Sequence, residues 1–284
     1  MDKFGIQLKK YGDLVINFDY SDFKPKPTSI NSLVPRGLYW INNIDNIIKF
    51  PLYSTIIIKK NLYNQVKIPP TNNFLFTPTP RLCFSQILTD LYPELNKVNN
   101  LKLKQGKQIG YNVYVGDNVI FGTNVKIGNN VTIYDDVEIG NNVLIGDNTI
   151  IGTEGMGFEK LPNGDLFKFP QIGGVLIGNN VEIGTHCDIK RGTLNNTIIS
   201  DGCKMGSYNN IGHNVVIGKN CIITASCVLC GSSNLGNNVF VGPKSMIKDA
   251  IAIPNNTIIG GMTFVNKIFN QENLTLIGSP AKKL

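Results

Sequence analysis

Histidine and tryptophan are scarce in this 284-residue sequence, which contains only two histidines, His186 and His213, and one tryptophan, Trp40. Any reaction that needs an imidazole base must therefore use one of two side chains. Long apolar runs are missing too: no stretch approaches the ~20 consecutive apolar residues of a membrane-spanning helix. The first residues, MDKF, lack the basic start and apolar core of a signal peptide. We therefore expect a cytoplasmic protein without a membrane span.

Positive charge exceeds negative charge, with a formal net charge of +7 and an isoelectric point near 9.0. Such a balance suits a polyanionic ligand, such as a nucleotide or a pantetheine-phosphate carrier. Nucleic acid is the competing interpretation. However, no run of lysine and arginine exceeds two residues, and the aromatic–basic modules of nucleic-acid binding are missing. We therefore predict no nucleic-acid partner.

One six-residue phrase recurs between Ile109 and Ile259. Its clearest copies are IGNNVT (127–132), IGNNVL (139–144), IGNNVE (177–182) and IGKNCI (217–222). A period of six is too short for a helical repeat and predicts a hexapeptide β-helix. The opening Ile or Val and the fifth residue should point inward, while Gly and Asn form corners because they tolerate positive φ. A single coil cannot bury its apolar face, so coils must stack.

The six cysteines fit this repeat. Four of them occupy the fifth place of a unit, where other copies have Val, and we interpret them as small core residues: Cys187, Cys203, Cys221 and Cys227. Cys227 and Cys230 also form a C-x-x-C pair, which would suit a metal or redox site. No second pair completes a zinc set. We therefore favour one inward and one turn cysteine, and predict no metal and no permanently bound cofactor.

Residues 1–100 do not repeat and predict a small α/β domain. Short strands are expected within residues 29–50 and 52–59, where Ile56 to Ile58 form a buried-strand run. Apolar residues at 84, 87, 88 and 91 have helical spacing, and Pro93 should end that helix near Tyr92. The polar segment 99–108 links this domain to the β-helix domain, residues 101–284.

Two breaks interrupt the repeat. The first, residues 153–171, is a long excursion, and repeat proteins often place functional loops in this way. The second lies between Ile189 and Ile199, whose separation is ten residues instead of the twelve of two units. We interpret this as a coil that is two residues short. After Gly260 the regular repeat is expected to stop.

Several segments resemble the UDP-3-O-acylglucosamine N-acyltransferases of lipid A synthesis. They are residues 169–184 (FPQIGGVLIGNNVEIG), 191–199 (RGTLNNTII), 211–218 (IGHNVVIG) and 80–88 (PRLCFSQIL). This resemblance implies a left-handed parallel β-helix, a homotrimer, and active sites between neighbouring subunits. It also implies a nucleotide-linked amino sugar as substrate, with uridine or thymidine as the nucleoside.

The resemblance assigns roles to particular residues. The family's catalytic base falls on His213, and its uracil-binding aromatic and asparagine fall on Trp40 and Asn43. Core packing is the alternative role for Trp40. Two family residues are replaced: the Asp seven residues before the base is Gly206, and a second His is Ala250. A tyrosine of the nucleotide pocket is also replaced, by Asn46.

The resemblance implies a thioester donor, either acetyl-CoA or an acyl carrier protein thioester. No C-terminal helices like those that engage the carrier in the family follow the repeat, and residues 278–283 (GSPAKK) are similar to the end of many acetyl-CoA-dependent hexapeptide enzymes. We therefore favour an acetyl group from acetyl-CoA. The alternatives are the lipid A reaction with acyl carrier protein and a non-catalytic β-helix assembly subunit.

An N-acyltransferase needs a base, because a sugar ammonium is not a nucleophile, and a neutral histidine can accept its proton near physiological pH. We predict His213 as that base and treat His186 as a solvated surface residue. The oxyanion needs an N–H donor, for which Gly231 is the candidate, with an ordinary turn glycine as the alternative. Further predicted contacts are Phe158, Phe169, Gln171 and Asn214 for the substrate, and Lys244, Lys248 and Lys282 for coenzyme A phosphate.

Overall fold

A computed structural model describes residues 3–17, 20, 24–30, 32–41, 50–65, 71–93, 103–106 and 109–284. The chain divides into two compact units. The first unit comprises residues 1–97 together with 156–170, and the second comprises residues 98–155 and 171–284. Most of the first break in the repeat therefore clusters with the N-terminal residues and not with the coils that flank it.

The first unit contains a five-stranded sheet and two short helices. The helices are α1 (Lys3–Leu8) and α2 (Pro80–Leu91), and single 3-10 turns span Lys9–Tyr11 and Lys60–Gln65. The strands are β1 (Asp13–Val15), β2 (Lys26–Pro27), β3 (Gly37–Trp40), β4 (Thr55–Lys59) and β5 (Asn73–Thr77), in the order β1-β5-β4-β3-β2. No helix in the described ranges is long and apolar enough to span a membrane.

The core of this unit forms between β4 and β5. Ile56 and Ile58 of β4 pack with Phe74 and Phe76 of β5, and all four side chains are buried. Helix α2 ends at Leu91, next to its predicted limit at Tyr92. Strand β5 was not predicted, although its NFLFT sequence is wholly buried and ends just before Pro78.

The second unit is a left-handed parallel β-helix, as predicted. Each coil contributes one strand to each of three faces, and strands on one face pair 18 residues apart, as in Thr132↔Ile150. Short strands on the first face are β7 (Ile109–Val115), β10 (Thr132–Ile133), β13 (Ile150–Thr153), β18 (Asp188–Lys190), β21 (Asn210–Ile211), β24 (Val228–Leu229), β27 (Met246–Ile247) and β30 (Phe264–Val265). We call the turn after each of these strands the first corner.

The other two faces are built in the same way. Strands on the second face are β8 (Ile120–Phe121), β11 (Val137–Ile139), β16 (Val175–Ile177), β19 (Thr197–Ile199), β22 (Val216–Ile217), β25 (Asn234–Leu235) and β28 (Ala252–Ile253). Strands on the third face are β9 (Lys126–Ile127), β12 (Leu144–Ile145), β17 (Glu182–Ile183), β20 (Lys204–Met205), β23 (Ile222–Ile223), β26 (Phe240–Val241) and β29 (Ile258–Ile259). The turns after these strands form the second and third corners.

The remaining strands form three antiparallel pairs, and β31 also pairs in parallel with β29. Strand β6 (Leu103–Gly106) runs along β7, and β14 (Phe158–Lys160) forms a hairpin with β15 (Leu166–Lys168) within the first break. Strand β31 (Thr275–Ile277) pairs with β29 and then with β32 (Lys282–Lys283). The expected stop at Gly260 was too early, because β30 still pairs with β27 at the regular spacing, Met246↔Phe264.

Asparagine ladders line the corners. Asn112, Asn130 and Asn148 all have φ between 54° and 58°, a left-handed conformation that asparagine adopts more readily than most residues. The Nδ2 group of Asn112 donates to Oδ1 of Asn130, and Asn130 donates in turn to Asn148, each at 3.2 Å. The turn residues therefore link coil to coil.

The cysteines behave as the repeat predicts. All six are free, the four at the fifth place are buried in the core of the β-helix, and Cys230 is half-buried in a first-corner turn. Burial raises the pKa of the Cys227 thiol, and burial together with the charge of Asp249 raises that of Cys230. Within the described ranges no three His, Cys, Asp or Glu side chains come together as a possible metal site.

Both breaks in the repeat fall at the first corner. The first lengthens a coil from 18 to 38 residues, as the pairing Val137↔Val175 shows. The second gives a coil of 22 residues, Val175↔Thr197. The prediction of a shortened coil is therefore wrong: residues 191–196 form a single long turn between β18 and β19, which takes the place of one ordinary turn.

Candidate active site

His213 lies at the first corner, in the turn between strands of the first and second faces. His213 follows β21, and Gly231 follows β24 one coil further along the solenoid. The two strands pair in register, Asn210↔Val228, and the Ser232 N–H donates to the His213 carbonyl at 2.8 Å. The hexapeptide spacing therefore sets the distance between this histidine and Gly231, the predicted N–H donor to the oxyanion.

Two glycines form a narrow slot around the imidazole ring. A Cβ atom on Gly231 would lie 2.6 Å from Nε2 of His213, and one on Gly155 would lie 2.7 Å from its Cδ2. Non-bonded atoms do not approach this closely, so neither position accepts a side chain while the ring stays in place. Gly231 was predicted at this site. Gly155 was not, although it lies within the first break, whose GMGF sequence carries two closely spaced glycines.

The neighbouring Asn214 contributes to the choice of tautomer of the neutral ring. Its amide orientation follows from two backbone groups: the Thr193 N–H donates to Oδ1 at 3.0 Å, and Nδ2 donates to the Asn195 carbonyl at 2.9 Å. The amide oxygen therefore faces Nδ1 of His213, at 3.1 Å. Because an amide oxygen can only accept, Nδ1 carries the proton of the neutral ring and Nε2 holds the free lone pair.

A second group contacts the same nitrogen. The Thr193 hydroxyl lies 3.4 Å from Nδ1 and donates to Oε1 of Gln171 at 2.9 Å. Gln171 is 3% exposed, and the backbone beside it is paired to the second break, since the Ile172 N–H donates to the Thr193 carbonyl at 2.8 Å. The ends of the two breaks thus meet behind the ring.

Arg191 anchors the second break. Its Nε donates to the Gly173 carbonyl at 2.6 Å, and its Nη2 pairs with Asp136 at 3.0 Å. The Arg191 side chain is 14% exposed, so the guanidinium is well shielded from solvent. These contacts hold the turn that carries Thr193.

The two replaced family residues lie at different corners. Gly206 follows β20 and so belongs to the third corner, away from the turns that carry His213. Ala250 belongs to the first corner, one coil beyond Gly231, and its N–H donates to the Gly231 carbonyl at 3.0 Å. The partners of Nδ1 in this chain are therefore Asn214 and Thr193.

The three lysines predicted to contact coenzyme A phosphate lie on different elements of the fold. Lys248 follows β27 at the first corner, two coils beyond the turn of His213. Lys244 lies at the third corner with φ of 57°, and Lys282 lies in β32. All three are exposed, but the fold brings only Lys248 to the corner that holds the base.

His186 lies at the third corner. It is exposed, with φ of 56°, and its ring stacks on Tyr208 of the next coil at 4.8 Å between centroids. The two histidines therefore belong to different corners.

The predicted aromatic contacts lie in the first unit. Trp40 ends β3, pairs with Ile57 and is half-buried. Phe158 is 44% exposed at the start of β14, whereas Phe169 is 1% exposed and stacks on Phe84 at 6.2 Å. The Phe169 ring is thus a packing residue of this unit and offers no open surface. Asn43 and Asn46 lie outside the described residues.

Parts of this chain are similar in sequence to known proteins. Residues 122–153 match the bacterial transferase hexapeptide (six repeats) family. A UDP-3-O-acylglucosamine N-acyltransferase 2 of Legionella pneumophila is 52% identical over 66 residues, which cover 23% of this chain and 19% of the relative. A UDP-3-O-acylglucosamine N-acyltransferase of Dechloromonas aromatica is 51% identical over 69 residues, covering 24% and 19%. The chain thus spans about a fifth of the length of these relatives.

Solved structures resemble the fold. The UDP-N-acetylglucosamine acyltransferase of Francisella novicida superposes with a TM-score of 0.56 at 22% identity, over 63% of each chain. That of Campylobacter jejuni gives 0.52 at 22% identity, over 64% of this chain and 74% of its own. The expected resemblance to hexapeptide-repeat acyltransferases is confirmed, and the β-helix is their common fold.

Proposed function

We propose that this protein is an N-acyltransferase that transfers an acyl group from a thioester to the amine of a nucleotide-linked amino sugar. The observation that carries the proposal is the state of His213. Its Nδ1 contacts Asn214, while Nε2 lies beside Gly231 and accepts no hydrogen bond from the described residues. A base in this state can take a proton from an amine.

The reaction follows from this geometry. Nε2 of His213 first takes one proton from the ammonium and releases it to solvent. The amine lone pair then attacks the thioester carbonyl carbon, and the neutral Nε2 takes a second proton from the attacking nitrogen. The tetrahedral intermediate carries its negative charge on oxygen, for which the Gly231 N–H is our candidate donor. Collapse breaks the C–S bond and forms the amide, and the departing thiolate takes up the proton from the imidazolium.

The names of the relatives refine the substrate and donor. They are UDP-3-O-acylglucosamine N-acyltransferases, which supports a uridine nucleotide, a glucosamine that already bears one acyl group, and a second acyl group delivered to nitrogen. The names of these relatives give no support to the preference for acetyl-CoA. We therefore take the alternative donor, an acyl carrier protein thioester, as the leading candidate and acetyl-CoA as the second.

A panel of nucleotide sugars and donors tests this function. UDP-linked and dTDP-linked amino sugars are combined with acyl carrier protein thioesters and with acetyl-CoA, and free thiol is measured as it is released. We expect turnover with a UDP-linked 3-O-acylglucosamine and a carrier thioester. Because Trp40 is the sole tryptophan and is half-buried, its emission serves as a separate reading of nucleotide binding.

The outcomes separate the candidates. Turnover with acetyl-CoA alone would restore the short-acyl interpretation. Binding of nucleotide without change in indole emission would assign Trp40 to core packing. Neither binding nor thiol release with any pair would favour the non-catalytic assembly subunit and overturn the proposal.

We further propose that the protein is a homotrimer assembled through its third face. Ile222, Phe240 and Ile258 pair in successive coils of this face and are 45%, 38% and 49% exposed. We call these three residues the apolar stripe. Glu182 and Lys204 precede it on the same face and form an ion pair at 2.7 Å. An apolar surface of this kind favours association, and closed cyclic symmetry would bury it in every copy.

Substitution of Phe240 by Glu should dissociate the trimer, because it puts a charge in the middle of the apolar stripe. Light scattering at micromolar concentration should then fall from three times the 31.2 kDa chain mass to a single one. Leu144→Glu is the matched control, since Leu144 is 44% exposed on the same face but pairs with Lys126 and Glu182. A monomeric wild-type protein would contradict the trimer.

A further inference from the structure

Among the described residues, Nδ1 of His213 contacts Asn214 at 3.1 Å and Thr193 at 3.4 Å, and neither side chain is a carboxylate. A carboxylate beside a catalytic histidine ordinarily orients the ring and selects its tautomer. An unconstrained imidazole favours the proton on Nε2, which would leave this site without its base. Some other group must therefore keep the proton on Nδ1.

We propose that Gln171 and Thr193 form a neutral hydrogen-bond relay that, with Asn214, positions His213 in the Nδ1–H tautomer. This proposal rests on the proposed function, in which Nε2 is the base. Thr193 and Gln171 are positioning residues, since they act through the ring and do not touch the reacting atoms.

Gln171 determines the direction in which the hydroxyl proton of Thr193 points. The Gln171 Oε1 accepts the hydroxyl proton of Thr193 at 2.9 Å. With that proton directed away from the ring, the oxygen of Thr193 presents lone pairs to Nδ1, and a lone pair there stabilises N–H on the imidazole. Gln171 is 3% exposed, so water has little access to compete for the hydroxyl.

The backbone of Thr193 also favours the Nδ1–H tautomer of His213. Its N–H donates to Oδ1 of Asn214 at 3.0 Å, which turns the oxygen of that amide, and not its NH₂ group, toward Nδ1. Thr193 thus contributes to both contacts of the nitrogen, one through its side chain and one through its main chain. Substitution of the side chain removes only the first.

Thr193→Val removes the hydroxyl with little change in shape, and Thr193→Ser keeps it. We expect Thr193→Val to lower kcat roughly 5- to 10-fold, as befits one lost hydrogen bond of ordinary strength, with KM for the sugar nearly unchanged. Thr193→Ser should retain most of the wild-type kcat. Melting temperatures of both variants show whether the turn still folds.

Nitrogen NMR reads the tautomer without any substrate. Labelling with ¹⁵N-histidine gives two rings, and His186→Ala assigns them, since the chain has only two histidines. Wild-type His213 should carry its proton on Nδ1, Thr193→Val should increase the Nε2–H population, and Thr193→Ser should restore it. A wild-type ring protonated on Nε2, or a tautomer unaffected by Thr193→Val, would overturn the relay.

The two proposals fail in different ways. If no donor and sugar pair gives turnover while the ring is protonated on Nδ1 and responds to Thr193→Val, the relay stands and the reaction is wrong. If turnover is found but the tautomer does not respond, the reaction stands and the relay is wrong.

Discussion

Replacement of His213 by Ala should lower kcat by roughly 10²–10⁴-fold, the usual contribution of a positioned general base. The amine is protonated near neutral pH, and among the described side chains no other histidine lies at the first corner to accept its proton. Substrate binding should change much less, because the base acts on a proton that moves in the transition state. Thiol release with saturating donor and sugar measures kcat directly.

His186→Ala is the matched control. Its ring stacks on Tyr208 at the third corner, so its removal should leave kcat near wild type and cost at most some of the stacking energy. The opposite result, in which His186→Ala loses activity and His213→Ala keeps it, would show that the base had been assigned to the wrong corner.

Gly231→Ala should lower kcat about 100-fold, the scale of loss that follows a displacement of about 1 Å in a reacting group. The added Cβ would lie 2.6 Å from Nε2 of His213 and 2.7 Å from its Cε1. The ring must then leave the slot, and it cannot do so without lengthening its contact with Asn214. The N–H of residue 231 survives the change, so the loss would report on the ring and not on a missing donor.

Gly261→Ala controls for the effect of a methyl group in a corner turn. Gly261 holds the same place after β29 that Gly231 holds after β24. The three atoms nearest to a Cβ there all belong to Pro243, at 3.4 Å or more. We expect wild-type kcat and a similar melting temperature. Gly231→Ala with undiminished kcat would show that the ring moves freely, and the slot would then impose no constraint.

The repeat could be predicted from sequence because its physics is local. Every unit repeats the same inward Ile and the same positive-φ turn, so the core of the β-helix and the buried cysteines such as Cys203 followed directly. Helix α2 followed from apolar spacing and Pro93. Strand β5 was missed because the three central residues of NFLFT are all apolar and show no alternation to distinguish a strand.

The site was only partly predictable because the second break was miscounted. Interpreting residues 189–199 as two shortened units shifts every later strand to the adjacent face. That interpretation places Gly155 and His213 at different corners, so it does not predict their contact. In the structure one unit has a long turn, both breaks lie at the first corner, and Thr193 meets the ring. A six-residue period specifies the distance along the solenoid, but the turn lengths specify the corner.

The third face has a further consequence for how copies could align. A face made of repeats offers another copy many nearly equivalent alignments, each displaced by one coil, about 4.8 Å. Along this face the charged Glu182 and Lys204 directly precede the apolar stripe. Sliding one copy by a single coil would press a charged side chain against an apolar one, and burying an unpaired charge is costly. The order of side chains along the face therefore selects one alignment from a set that the backbone alone would leave degenerate.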